Sequence, residues 1–171
     1  NGGTEAPLRQ RDDINGYRES RPVQFGNPAF QMPEIGSFGF LADCVWTYVE
    51  RGGKWKEAYW QLMRRIADFV AGHWREPDYG IWELELRHFV SSRVLSWTVL
   101  DRAIKLGERV GRDDVPVRAW RAEMDAIRAE IMGRGWSDAM NSFRQHYDAE
   151  AVDAALLLIP LLGFLEPDHP R

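Results

Sequence analysis

Glu83 stands directly after Trp82, at the end of the turn-prone run Pro77-Asp78-Tyr79-Gly80-Ile81-Trp82-Glu83, with Arg87 and His88 a few residues on. A carboxyl held against an aromatic ring loses water, and that raises its pKa. Such a group can stay protonated near neutral pH and pass a proton to a leaving oxygen. Glu83 is therefore the candidate proton donor, and Trp82 the candidate wall that keeps it dry. A loop Glu beside a packed Trp is the competing reading, and spacing alone does not separate the two.

The elements that must position this run are helical. Pro77-Asp78 and Gly80 break the chain between two strong helical patterns. Before the break, Phe38, Phe40, Leu41, Cys44, Val45, Tyr48 and Val49 step by three and four from Ser37 to Arg51, and Gly52-Gly53 ends that face. Trp55, Tyr59, Leu62, Met63, Ile66, Phe69, Val70 and Trp74 mark a second helix, and the Gly-Gly turn makes the two an αα-hairpin. After the break, Phe89–Val110 form a third helix whose first half is apolar nearly all round, which implies burial on more than one side. Asp113 and Asp114 before Val115-Pro116 signal a fourth helix start. Val117, Trp120, Met124, Ile127 and Ile131 give that helix its apolar stripe. The last pattern, from about Glu150 to Leu162, is almost entirely apolar and is expected to be an interior helix. No strand with clean alternation is found. Residues 1–35, rich in Gly and Pro, are read as a long loop region and 36–165 as the helical part of a single segment.

The fold class is all-α: about five helices in paired hairpins. Two of them are too apolar to be single-faced, so the chain is expected to be part of a larger helical domain or to assemble with a second copy.

Composition narrows the function classes. The 171 residues carry 44% hydrophobic and 28% charged side chains, which fits one globular domain with a core. A net charge of −4 gives no reason to expect nucleic acid as a partner. No apolar run reaches the length of a membrane span, no leader segment is read, and a cytoplasmic location is the expectation. Cys44, the one cysteine, excludes an internal disulfide and is read as a buried structural thiol. The four His residues fall in separate elements without ligand spacing, so no metal is expected. Eight Trp is a high count that core packing or a sugar site can each use.

Several stretches in register resemble the bacterial branch of glycoside hydrolase family 15, the glucoamylase, glucodextranase and trehalase family. Pro77–Glu83 is followed by Arg87-His88-Phe89-Val90-Ser91-Ser92-Arg93 and by Trp97–Ala103. Upstream, Gly16–Val23 runs into Gly26-Asn27 and Gln31. Downstream, Phe143–Tyr147 leads to Val152–Leu157 and then to Pro160–Leu165. The resemblance implies part of an (α/α)6 toroid, somewhat under half of the ring. It implies an inverting α-glucosidase, glucoamylase-like, that removes terminal glucose from glucans or oligosaccharides, with a trehalase as the alternative. No organic cofactor is implied.

By the same resemblance Glu83 is the general acid. In an inverting pair the second carboxylate activates water from the opposite face, roughly 6.5–9.5 Å away. That base is expected beyond Arg171, and an Arg-Asp pair that grips the sugar before Asn1, so the chain alone is expected to be inactive. Trp82, Tyr17, Arg18, Gln31, Arg87 and His88 are the candidate substrate-binding residues. Arg87 can orient a carboxylate and His88 can donate a hydrogen bond. A solvated ion pair and a satisfied imidazole are their alternatives. Asp101 and Arg102, adjacent on a helix, do not face each other and are read as each pairing with a neighbouring element. Pro33, Ile35 and Ser37 depart from the family pattern, so the sugar contacts of that loop are expected to differ. The expected partners are an α-glucoside or glucan and the remainder of the catalytic domain. A helical binding module that has lost catalysis is the competing function. A helical-repeat scaffold is disfavoured because no repeat period recurs.

Overall fold

The computed structural model describes residues 8–26 and 28–171. Asn27 and the first seven residues of the expected loop region, among them Gly2, Gly3 and Pro7, lie outside them. The described residues fall into two compact units that meet in sequence between Pro33 and Glu34.

The first unit holds a short antiparallel ladder, β1 (Arg9–Arg11) with β2 (Val23–Phe25). Two 3-10 turns, Tyr17–Glu19 and Pro28–Gln31, complete it. The strands were missed in the sequence because three residues are too few to show alternation.

The second unit is helical. It contains α1 (Ser37–Glu50), α2 (Glu57–His73), α3 (Val90–Arg109) and α4 (Val117–Glu130), then a π-turn at Ile131–Gly135. A two-residue ladder follows, β3 (Trp136–Ser137) with β4 (Ser142–Phe143). A 3-10 turn, Ala154–Leu157, leads into the short α5 (Leu158–Leu161).

α3 is the axis of this unit. α1, α2 and α4 all pack on it, and every residue from Val90 to Leu100 is buried. The burial on more than one side that its composition implied is what the structure has. Small polar residues fit such a helix by bonding to its own backbone: the Ser96 hydroxyl donates to Ser92 O at 2.8 Å and the Thr98 hydroxyl to Val94 O at 2.9 Å. α1 and α2 form the expected hairpin, with edge-on contacts between Phe38 and Phe69 and between Tyr48 and Tyr59.

Most of the buried tryptophans are core pieces with a polar outlet. Trp60, Trp74 and Trp120 are buried, and their indole N–H groups donate to Asp114, Glu123 and Asp68. An indole buried in this way keeps its one donor satisfied at the core boundary.

Five details differ from the sequence reading. The stretch Glu150–Leu162 is not one interior helix: only Ala154–Leu161 is helical, and Leu157 and Leu161 point outward at 65% and 76% exposure. Uniform apolarity gave no phase, so the outward face could not be told from the inward one. Asp113 and Asp114 do not cap α4: Pro116 precedes that helix without a side-chain cap, and Asp114 turns back to Trp60, Arg64 and Arg112. Cys44 is exposed, on the outer side of α1. Asp101 and Arg102 do pair with each other, and Asp101 also takes Lys105 at 2.8 Å rather than a group on another element. The long Arg102 side chain folds back onto its neighbour while its other nitrogens reach Asp43 at 2.8 Å and Leu162 O at 2.9 Å. The π-turn and the β3–β4 ladder were also unread, for want of length.

Candidate active site

The loop between α2 and α3 carries the site. Its neck is closed by a reciprocal backbone pair: Asp78 N–H donates to Arg87 O at 3.0 Å, and Arg87 N–H to Asp78 O at 2.9 Å. Gly80 lies inside with φ +62, and a Cβ there would meet the Phe89 ring at 2.8 Å. Only glycine suits both the left-handed backbone and that approach. Glu83 closes the next turn, its N–H donating to Gly80 O at 3.3 Å. Its own φ is +52, a conformation that a side chain adopts at a cost.

The loop sits on a buried polar layer. The Asp78 side chain is wholly buried and accepts from Gly36 N at 3.4 Å. Burial pushes its carboxyl above the ordinary range, opposed by the Ser92 hydroxyl, the Gly36 N–H and the charge of Arg93. Arg93, also wholly buried, donates through Nη2 to Glu76 O at 2.9 Å and to His88 Nδ1 at 2.6 Å. A guanidinium only donates, so His88 Nδ1 accepts and a neutral ring carries its proton on Nε2. The imidazole stacks on Tyr147 with centroids 5.9 Å apart. Burial, then the charges of Arg93 and Arg134, hold His88 below its ordinary pKa.

Glu83 and Trp82 do not form the dry pair expected of them. Trp82 is 51% exposed and Glu83 is exposed. The indole N–H of Trp82 points instead to Asp153, at 3.0 and 2.9 Å from its two carboxylate oxygens. Trp82 also lines an open apolar groove of about 300 Å³ with Phe40, Ile81, Leu157 and Leu161. A larger depression of about 630 Å³ runs along α1 past Asp43 and Cys44, but Asp43 is already engaged by Arg102. Glu83, by contrast, stands exposed on the loop.

The other sequence candidates divide. His88 shares the loop with Glu83 and is half-buried. Arg87 is exposed and pairs with Glu85 at 2.9 Å. Tyr17, Arg18 and Gln31 belong to the first unit: Tyr17 is 83% exposed, the Arg18 guanidinium lies over its ring at 5.4 Å, and Gln31 is exposed. Asp78, Arg93 and Asp153 were not among the candidates. A lone charge inside the otherwise uncharged first half of α3 was the signal for Arg93, and the aspartate before an apolar turn was the signal for Asp153. Among the described residues no cluster of three His, Cys, Asp or Glu side chains is placed to hold a metal ion. What this site can do chemically is proton transfer from one exposed carboxyl on a tightly held loop.

Residues 3–171 match the profile of Glycosyl hydrolases family 15. The chain is 40% identical over 160 residues to a trehalase of Mycobacterium tuberculosis, covering 92% of this chain and 23% of that protein. It is 34% identical to a trehalase of Thermoplasma volcanium, covering 93% of this chain and 26% of that protein. It is 28% identical to trehalase 2 of Sulfolobus acidocaldarius, covering 95% and 29%. No solved structure matches it. The chain thus spans about a quarter of the length of the curated relatives it matches. An all-α segment whose exposed loop acid lies within a match over nearly its whole length belongs to glycosyl hydrolase family 15.

Proposed function

We propose that this chain supplies the general-acid segment of an inverting glycosidase that hydrolyses α,α-trehalose. The family match over residues 3–171, with Glu83 presented on the pinned loop inside it, carries the reading. The relatives named trehalase favour trehalose over the glucan ends that the sequence motifs alone brought first.

In this reaction Glu83 gives its proton to the oxygen that joins the two glucose units, and the C1–O bond breaks. A water attacks the same C1 from the opposite face and loses its proton to a second carboxylate. That base is not assigned to this chain. The attacked glucose leaves as the β anomer and its partner keeps the α configuration. Trp82 stands beside the acid, and His88 offers an Nε2–H from the same loop. The exposure of Glu83 in this segment fits the reading if other parts of the protein cover the loop, since a proton donor works best out of bulk water.

The test uses the full-length parent protein with trehalose and with maltooligosaccharides, following the product anomers by proton NMR. Trehalose is expected to give equal α- and β-glucose at early times. Glu83→Gln is expected to lower kcat by about 10²–10⁴-fold. An unchanged kcat in that variant rejects Glu83 as the acid, and activity on maltooligosaccharides alone returns the substrate to a glucan end.

A further inference from the structure

Asp153 receives three donors from three separate parts of the chain. The Trp82 indole N–H approaches both carboxylate oxygens, at 2.9 and 3.0 Å. The Gln145 amide donates at 3.0 Å, and the Ala155 N–H at 2.8 Å. The site loop, the stretch after β4 and the 3-10 turn before α5 therefore meet on one side chain.

A tryptophan that is half exposed on a loop has little packing to choose its rotamer. A carboxylate on its single donor does choose, because the N–H has one direction in the ring plane. The polar edge of Trp82 is thereby spent on Asp153, and the half-exposed indole, one residue before Glu83, is left to line the apolar groove with Phe40, Leu157 and Leu161. An apolar, rigid indole face is the surface that a pyranose ring covers with its C–H groups, while the sugar hydroxyls turn elsewhere.

We infer that Asp153 is a positioning residue for sugar binding: it fixes the Trp82 indole as a stacking wall for the glucose unit beside Glu83. This rests on Glu83 being the proton donor, since that is what places sugar next to Trp82. A purely structural Asp153, serving only as the cap of the Ala154–Leu157 turn, is the alternative, and it makes a different prediction.

The experiment is a double-substitution cycle in the full-length protein carrying Glu83→Gln, read as the Kd for trehalose. Asp153→Asn keeps the shape and an oxygen for Ala155 N–H, but sets an amide NH2 against the other donors. Trp82→Phe keeps an aromatic ring and removes the indole N–H. Each is expected to weaken binding by about tenfold, and the pair together by no more than either alone. A Kd left unchanged by Asp153→Asn, or two losses that multiply, overturns the inference, as does an absence of trehalose binding. The general-acid reading fails separately, through kcat: if Glu83→Gln keeps its activity, the same cycle is read on KM.

Discussion

Arg93 decides what His88 can offer. Its Nη2 takes the Nδ1 lone pair at 2.6 Å, so the imidazole faces outward as a donor from Nε2. The groups around the ring are Arg93, Arg134, Glu130 and Asp148, and burial with the two arginines outweighs the two acids. The folded pKa therefore lies below the ordinary 6.5 of the unfolded chain. Between the two values the unfolded state binds more protons, so stability rises with pH through that window and falls as pH drops below about 6.5. His88→Gln is expected to remove that part of the acid loss. Denaturant midpoints of the two proteins measured from pH 7 to pH 5 check this, and parallel curves contradict it. His88, Trp82 and Glu83 were singled out in the sequence because they are close together there, and the structure keeps them on one short loop. Asp153, whose link to Trp82 spans 71 residues, was not singled out, nor was the Arg93–His88 bond, because that depends on which face of α3 meets the loop. Within the described residues Trp82 does not cover Glu83: it precedes the acid in sequence, but its indole N–H is turned to the distant Asp153 carboxylate.

α1 approaches α3 closely at Gly39. A Cβ on Gly39 would sit 2.7 Å from Leu95 Cβ, Cδ2 and O. The backbone oxygen cannot step aside without moving the helix, so Gly39→Ala is expected to destabilise by about 1–3 kcal/mol despite its better helix propensity. Chemical denaturation checks it, and an unchanged midpoint would mean that the helices have room to part. The long helices were legible because the i, i+3, i+4 pattern runs for several turns, and their bounds agree closely with that pattern. Ala154–Leu161 was legible only as apolar. Asp153 starts its turn through the Ala155 N–H, and the chain leaves α5 at Gly163 with φ +73. Those two residues set its length, not its hydrophobicity.

At the scale of the whole molecule, the apolar surface is uneven. Leu84, Val152, Leu157 and Leu161 are 63–76% exposed, and Phe40, Leu157 and Leu161 share the groove with Trp82. An exposed apolar groove of this kind marks a contact surface. The 171-residue segment produced alone is therefore expected to self-associate, and a single monomeric species in sedimentation at high concentration would contradict that. Leu157→Ser with Leu161→Ser should shift it towards the monomer. Glu83 holds a left-handed backbone, which costs a residue with a side chain roughly 1 kcal/mol that glycine avoids. Endurance and turnover thus reward different residues at one position. A population of variants sorted by survival of heating would drift towards glycine there, and, if the proposed general-acid role holds, one sorted by release of sugar would keep the glutamate.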